Sequence, residues 1–198
     1  MGYTSVGARL LGNARQRSRR GGGRSWEAVR KGILKHLQSD QAALSTTMVD
    51  YYGLPRTWPG RERPSRHATL SERAATVERA VLEDISTAID RPARFVPYVV
   101  MHEFEGLLFS DPDRFAQSLG KPSLAPKLRV VRREFQTPED INGSPDKSPS
   151  KRILNLYRDY RKPVDGVLAM AELGLDTVRE ACPLFDAWVS TLEQQARP

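Results

Sequence analysis

The chain is poor in cysteine, and this scarcity excludes several classes of protein. Cys182 is the single cysteine among 198 residues, so neither an internal disulfide nor a cysteine cluster for zinc can form. The sequence also lacks long apolar runs and an apolar N-terminal signal segment, which argues against a membrane span and against secretion. We therefore expect a cytoplasmic protein with no membrane partner.

The sequence also lacks the common motifs of nucleophilic catalysis and nucleotide binding. No serine stands in a Gly-x-Ser-x-Gly segment, and no Gly-x-x-x-x-Gly-Lys phosphate loop is present. Cys182 precedes Pro183 at a predicted helix start, and His36 and His67 have no candidate partner nearby in the sequence. The remaining candidates for functional residues are therefore carboxylates and basic side chains.

Basic residues are concentrated at the N-terminus. The formal net charge is +7, yet nine basic residues stand against Glu27 alone in the first 35 residues. A glycine triplet in this segment would let guanidinium groups reach phosphate oxygens, although a solvated surface loop explains the pattern equally well. Two further cations open a predicted helix at Pro149, where ordinary capping is the equal alternative to an anion site. The candidate nucleic-acid-binding residues are Arg15, Arg17, Arg19, Arg20, Arg24, Lys151 and Arg152.

Apolar spacing predicts an α/β fold. Two segments, 44–49 and Phe95–Met101, have the length and composition of buried strands, and a weaker strand pattern lies within 3–14. Amphipathic helices are predicted from Ser25 and, behind a capping box, from Thr69. Helices between strands imply crossover connections, so we expect a small, mainly parallel sheet.

The second half of the sequence has a helical pattern. The length of the whole chain, 198 residues, supports one domain over 1–198. In this domain an α/β core over 1–112 is followed by a helical part over 113–198. The predicted helices beyond Glu105 cover 106–109, 124–135, 149–162, 164–173 and 183–194.

Acidic residues follow both of the convincing strands. Asp50 comes after the first strand, and Glu103 and Glu105 come after the second. The carboxyl ends of parallel strands open onto one edge of a sheet, so these carboxylates could converge. Because like charges repel unless a hard cation neutralises them, the pattern predicts a site for Mg²⁺ or Mn²⁺. Asp50, Glu103 and Glu105 are thus the candidate catalytic and metal-binding residues. Residues two apart diverge on a helix, so we expect at most one of the two glutamates to face the metal, with Glu105 favoured.

Each of these acids also has an ordinary structural interpretation. Asp50 can bond its own backbone in the turn before Gly53, and acids such as Glu103 and Glu105 are favoured at helix N-termini. His102 shares a face with Glu105 if the turn is helical, but a lone histidine is more often structural than a ligand.

Short motifs distributed along nearly the whole chain carry a family resemblance. They lie at 8–15, 20–22, 46–55, 96–98, 102–112, 137–142, 149–153 and 182–188. In this order they resemble the bacterial family called domain of unknown function 4276. That family is similar to the Toprim-like group of metal-dependent α/β domains and is often encoded beside ATPases in defence loci.

The resemblance implies a Toprim-like, magnesium-dependent nuclease that serves as the effector of an ATPase-coupled antiphage defence system. Asp50 would match the acid after the third strand, and Glu103 or Glu105 the acid after the fourth. Toprim-like domains usually carry Asp-x-Asp at the first position, whereas Tyr52 stands here in the second place. Relatives also begin with a strand ending in a Glu-Gly-x-Thr-Glu type segment, and we expect this strand to be missing from the sequence.

A second function remains open at this point. The chain could be a non-catalytic binding module that docks a partner ATPase or nucleic acid. The sequence leaves the oligomeric state open as well, with a homo-oligomer as one outcome.

Overall fold

The computed structural model describes residues 6–8, 25–62, 68–142 and 147–195. They form two compact units. Unit 1 comprises the described residues of Met1–Val99 and Trp188–Pro198, and unit 2 comprises those of Val100–Ala187. The single domain expected from the sequence stays a prediction.

The described residues are mostly helical, with a small parallel sheet of two strands, so the predicted α/β class is confirmed. The strands are β1 (Ser45–Asp50) and β2 (Phe95–Val100). The helices are α1 (Trp26–Ser39), α2 (Leu70–Ser86), α3 (Pro112–Ser118), α4 (Ala125–Arg133), α5 (Pro149–Leu156), α6 (Lys162–Leu173), α7 (Leu175–Ala181) and α8 (Pro183–Gln195). None of these helices combines the length and apolar character needed to cross a membrane. The weak strand pattern within 3–14 lies almost wholly outside the described residues.

In unit 1, helix α2 makes the crossover between β1 and β2 that the sequence predicted. The Thr69 hydroxyl accepts the amide of Glu72, whose carboxylate accepts the amide of Thr69, so the predicted capping box starts this helix. Strand β1 alternates between buried and exposed side chains, with Met48 exposed, whereas we expected a fully buried strand. One face of β1 is therefore open to solvent.

A helix side chain completes the hydrogen bonding of β2. The amide of Val99 donates to Oε1 of Glu78 on α2 at 2.8 Å. A backbone N–H inside a buried strand needs a partner, since leaving it unsatisfied costs about 1–3 kcal/mol. Glu78 on the crossover helix therefore supplies the hydrogen-bond acceptor for this strand amide.

The C-terminal part of α8 also covers the sheet of unit 1. The rings of Trp188 and Tyr98 stack with centroids 4.7 Å apart, and the indole N–H of Trp188 donates to Oγ1 of Thr46 at 2.8 Å. Thr46 in turn donates to the carbonyl of Val96 on the neighbouring strand. This one indole thus binds the sheet by stacking on β2 and by bonding β1.

The described segment that follows β1 is irregular beyond a short 3₁₀ turn, Tyr51–Gly53, but it is anchored. Trp58 is buried, with its ring centroid 5.0 Å from that of Trp26 on α1. Gly60 has a φ of +72°, and a Cβ atom there would lie 2.7 Å from the carbonyl oxygen of Thr76 on α2. Only glycine fits so close to the helix backbone at that φ. The segment is therefore packed on α2 at least as far as residue 62.

The core of unit 2 is built around a 3₁₀ helix, Phe104–Ser110, in which Glu105 to Phe109 are buried. Asp111 then accepts the amides of Asp113 and Arg114 and starts α3. Phe115 on α3 packs edge-on against Phe109, with ring centroids 6.0 Å apart. The segment that follows β2 thus forms the interior of this unit, and it includes the buried Glu105.

The helices of the second half differ from the prediction in two ways. The predicted helix over 149–162 was wrong in its extent, because α5 ends at Leu156 and a new helix, α6, begins at Lys162. Pro163 cannot donate a helical hydrogen bond and disfavours helical geometry in the residue before it, so it fits only in a first turn. Helices α3 and α7 were not predicted, because seven residues are too few to display a helical period.

We predict that Glu78→Ala lowers the free energy of unfolding by about 1–3 kcal/mol, because the amide of Val99 is left without its acceptor. Glu83→Ala, an exposed glutamate on the same helix, should change it by less than about 0.5 kcal/mol. Urea unfolding followed by circular dichroism measures both. Equal losses in the two variants would show that Glu78 contributes no more than a surface residue.

Candidate functional site

Two predicted site residues, Glu103 and Glu105, lie together in unit 2. They follow β2 and frame the start of the 3₁₀ helix, where Glu105 is buried. Oε1 of Glu103 lies 3.1 Å from Nζ of Lys162, and Oε1 of Glu105 lies 3.2 Å from the same atom. Two carboxylate oxygens from different residues therefore converge on one positive charge.

Lys162 is the first residue of α6, and the fold brings it to the glutamates from far along the chain. Its side chain is 46% exposed, whereas that of Glu105 is 6% exposed. The ammonium group thus covers the two acids on their solvent side. We call Glu103, Glu105 and Lys162 the carboxylate–lysine cluster.

The second carboxylate oxygen of Glu103 has a different partner. Oε2 accepts the backbone amide of Ser150 at 2.8 Å, in the first turn of α5. The N-terminus of a helix carries unsatisfied amides and a partial positive charge, so it favours an anion. The anion site predicted at this turn from its serines and cations is therefore filled, at Ser150, by a carboxylate of the chain itself.

Contacts within the cluster favour the charged forms of Glu103 and Lys162. Burial opposes ionisation of Glu103, but hydrogen bonds from Ser150 and Lys162 outweigh it and lower its pKa. Burial likewise opposes protonation of Lys162, but Glu105 and Glu103 together raise its pKa. Burial and the charges of Glu105, Asp165 and Glu103 raise the pKa of Tyr160. Around neutral pH Glu103 is therefore a carboxylate, Lys162 an ammonium group and Tyr160 a neutral phenol.

His102 is buried beside this cluster. Nδ2 of Asn142 lies 2.9 Å from Nδ1 of His102, and because an amide nitrogen can only donate, Nδ1 is the acceptor. Burial lowers the pKa of His102 to about 4, although the charges of Asp140 and Glu103 act in the opposite direction. The imidazole is therefore neutral near pH 7 and contributes packing and a hydrogen bond rather than charge.

Asp50 lies at the end of β1 in unit 1. Its Oδ1 accepts the amide of Tyr52 at 3.0 Å and that of Gly53 at 3.4 Å. This is the turn that the sequence offered as the ordinary interpretation of Asp50. A role for Asp50 as a metal ligand stays a prediction.

The predicted nucleic-acid-binding residues fall into three groups. Arg15, Arg17, Arg19, Arg20 and Arg24 lie outside the described residues. Lys151 is exposed on α5. Arg152 donates to Glu134 at 3.0 Å and to the carbonyl of Lys147 at 2.9 Å, and its guanidinium lies 5.0 Å from the ring centroid of Phe135. Arg152 therefore has a structural role, and Lys151 is the more accessible cation of the pair.

Metal binding at this site would need oxygen atoms from beyond the cluster. Across residues 6–8, 25–62, 68–142 and 147–195, no three His, Cys, Asp or Glu side chains are grouped as a metal site requires. Glu103 and Glu105 supply two oxygens at one point. Mg²⁺ is commonly held by one or two carboxylates together with water and substrate phosphates, so this donor set fits it.

Several motifs of the family resemblance bond one another inside unit 2. Asn142 contacts His102, and Ser150 binds Glu103. The buried Glu139 accepts the amides of Leu184 and Phe185 at 3.0 and 2.9 Å, and so caps the N-terminus of α8. These motif residues therefore hold the unit together in addition to any chemical role.

Sequence reasoning missed Lys162 and Asn142. Both stand more than 35 residues beyond the glutamates and the histidine that they contact. Asn142 was part of a recognised motif, which was a usable signal, whereas the Lys162-Pro163 pair only marks a helix start. No local pattern connects a lysine to carboxylates at that separation.

We predict a loss of stability on acidification that depends on His102. The unfolded histidine takes up a proton as the pH falls below its ordinary pKa of 6.5, whereas the folded one stays neutral until about 4. Stability is therefore complete above pH 6.5 and falls through this window, by up to about 3 kcal/mol. In His102→Asn, whose amide oxygen can replace Nδ1 as acceptor, this part of the pH dependence should disappear. Urea unfolding between pH 7 and 4.5 measures it, and parallel curves for the two proteins would contradict it.

Comparison with known proteins identifies the family. A family model described as domain of unknown function (DUF4276) matches residues 6–193. No curated protein and no solved structure matches the chain. The family match includes both units and every described residue of the carboxylate–lysine cluster. The chain therefore belongs to the DUF4276 family.

Proposed function

We propose that the protein is a metal-dependent nuclease whose cation binds at Glu103 and Glu105. The observation that carries this proposal is the convergence of their two Oε1 atoms on Nζ of Lys162, at 3.1 and 3.2 Å. Carboxylates placed around one positive charge have the arrangement that a bound cation needs. In the protein without a metal ion, the ammonium group of Lys162 occupies this position.

The charge balance of the cluster explains why a divalent ion would matter for a phosphodiester. Two carboxylates and one ammonium leave one net negative charge, which repels a phosphate group. A bound divalent cation makes the net charge of the site positive. The electrostatic energy between the site and a phosphate group then changes from repulsive to attractive, and this change is large at short range in a partly buried site. Substrate binding is then coupled to metal binding.

The chain's own residues have distinct parts in this chemistry. Glu103, fixed by the amide of Ser150, and the buried Glu105 would hold the cation. When bound, the cation supplies charge stabilisation at the phosphate and a water of lowered pKa. Lys162 has a half-exposed side chain, so it can turn from the glutamates to a phosphate oxygen. His102, neutral near pH 7, adds no competing positive charge.

Other parts of the proposal rest on the sequence and the family resemblance. They are a Toprim-like relationship, the contribution of Asp50, nucleic-acid contacts by the N-terminal arginines and Lys151, a cytoplasmic location, and action as the effector of an ATPase-coupled antiphage defence system. Arginine-rich segments bind all polyanions, so neither DNA nor RNA is favoured.

We predict that Glu105→Gln reduces Mg²⁺-dependent cleavage by at least about 100-fold, because the neutral amide is a poor ligand for a hard cation. Cleavage of labelled single-stranded DNA, duplex DNA and RNA is measured with and without EDTA, in the presence of the partner ATPase. Asp113→Asn, an exposed carboxylate of the same unit paired with Arg129, is the control and should retain activity. Asp50→Ala, tested in parallel, should also abolish cleavage. If Glu105→Gln cleaved nucleic acid at the wild-type rate, the cluster would have no part in catalysis.

We also predict that Lys162→Gln binds Mn²⁺ or Mg²⁺ about tenfold more tightly or better, because the competing ammonium is gone and two facing carboxylates remain. Isothermal titration calorimetry measures the affinity, with Lys151→Gln on α5 as the control of equal charge change. An affinity unchanged from the wild type would mean that Lys162 and the cation do not share a position.

A non-catalytic binding module is the second candidate, and one observation favours it. Each predicted acid already has a partner within its own unit: Asp50 the amides of its turn, and Glu103 and Glu105 the ammonium of Lys162. Buried ion clusters of this kind also occur as purely structural features. Under this interpretation Lys162→Gln destabilises the fold without gaining metal affinity, and the protein associates with an ATPase or nucleic acid without cleaving it.

A further inference from the structure

Helix α6 of unit 2 is apolar on two opposite sides. Its inner side is buried at Gly166, Ala169 and Leu173. On its outer side Val164, Val167 and Leu168 are 43%, 61% and 59% exposed, and Ala171 is exposed as well. We call these four residues the outer stripe.

The positions of the outer stripe form one continuous surface. At about 100° per residue, 164, 167, 168 and 171 fall within roughly a quarter to a third of the helix circumference, directly opposite the buried side. Leu175, at the start of α7, adds a further apolar side chain that is 49% exposed. A surface helix needs only one apolar face for its own packing, and a second, exposed apolar face commonly marks an interaction site. The outer stripe therefore has the character of an interface.

Charged residues lie along one edge of the stripe with opposite signs at its two ends. Arg161 stands at the N-terminal end, with its side chain 69% exposed while it bonds Asp165. Glu172 is exposed near the C-terminal end, about 16 Å along the axis from Arg161. In a parallel two-fold pair, the edge that carries Arg161 and Glu172 would lie against the opposite, uncharged edge of the partner helix, so neither charge would gain a partner. In an antiparallel pair each arginine faces a glutamate.

We propose that the protein forms a homodimer in which α6 packs antiparallel on α6 of a second copy, across a two-fold axis at Val167 and Leu168. A surface that is complementary to itself is what a two-fold interface requires, and the charges along the stripe satisfy that requirement in only one direction. The proposal does not depend on the proposed nuclease activity, because the outer stripe points away from the buried side of α6.

One helix against another covers less area than a standard stable interface, so the dimer is expected to be weak. Interfaces at the low end of the size range are transient. A dissociation constant of roughly micromolar order is expected, and the test must therefore span concentrations on both sides of it.

Sedimentation velocity of the full chain over a hundredfold range of concentration tests self-association. We expect a shift from monomer to dimer in the wild type and a monomer throughout in the double variant Val167→Glu/Leu168→Glu. Val130→Glu on α4 is the matched control, since Val130 is 62% exposed in the same unit, and it should dimerise like the wild type. A wild type that stays monomeric, or equal behaviour of the double variant and the wild type, overturns the proposal. A monomer that captures a different protein through the stripe overturns it as well.

Cysteine cross-linking tests the direction of the pair. In the antiparallel dimer, Val167→Cys lies near the axis and should form a disulfide with its own copy. Ala171→Cys should not do so alone, but should cross-link with Val164→Cys in a mixture of the two proteins. The native Cys182 is buried and does not interfere. Cross-linking of Ala171→Cys with itself and not with Val164→Cys would indicate a parallel pair and would refute the proposed arrangement.

Discussion

Two carboxylates held against one ammonium group set the main electrostatic constraint on unit 2. Glu105 is buried within the 3₁₀ helix that forms the centre of the unit, and a buried charge must be compensated where it lies. Lys162 provides that compensation, so the start of α6 lies against the 3₁₀ helix. Glu103 adds a second requirement, because its other oxygen binds the first turn of α5. Two acids of one short motif, separated by a single residue, thus contact the starts of two helices.

The same acids allow two descriptions of the protein. As a closed cluster, Glu103, Glu105 and Lys162 satisfy one another and hold three elements together, which suits a binding module. As an open cluster, in which the half-exposed lysine turns outward, they present two oxygens at one point, which suits a divalent cation and a phosphate. The difference between these states is the position of one flexible side chain. A structural role and the proposed catalytic role would therefore be compatible at this site.

The family motifs gain a physical meaning from their contacts. His102 with Asn142, Glu103 with Ser150, and Glu139 with the first turn of α8 are pairs of motif residues that are distant in the sequence. Each of these contacts joins two of the motifs inside unit 2. Outside them, α6 carries an apolar outer stripe that none of these contacts requires. This stripe is the surface through which we propose that two copies of the chain associate.

Local patterns determined much of the fold. Examples are the apolar periods of α1 and α2, the capping box at Thr69 and the apolar run of β2. Each of these elements can be predicted from one segment, because its hydrogen bonds and buried face repeat over a few residues. The sequence also placed Glu103 and Glu105 after β2 and offered the turn at Asp50. Tertiary structure alone decided that Lys162 meets both glutamates, that Glu78 completes β2 and that Trp58 is buried. These contacts join residues at least 21 positions apart, and no local periodicity encodes which distant side chain will neutralise a buried charge or satisfy a strand amide.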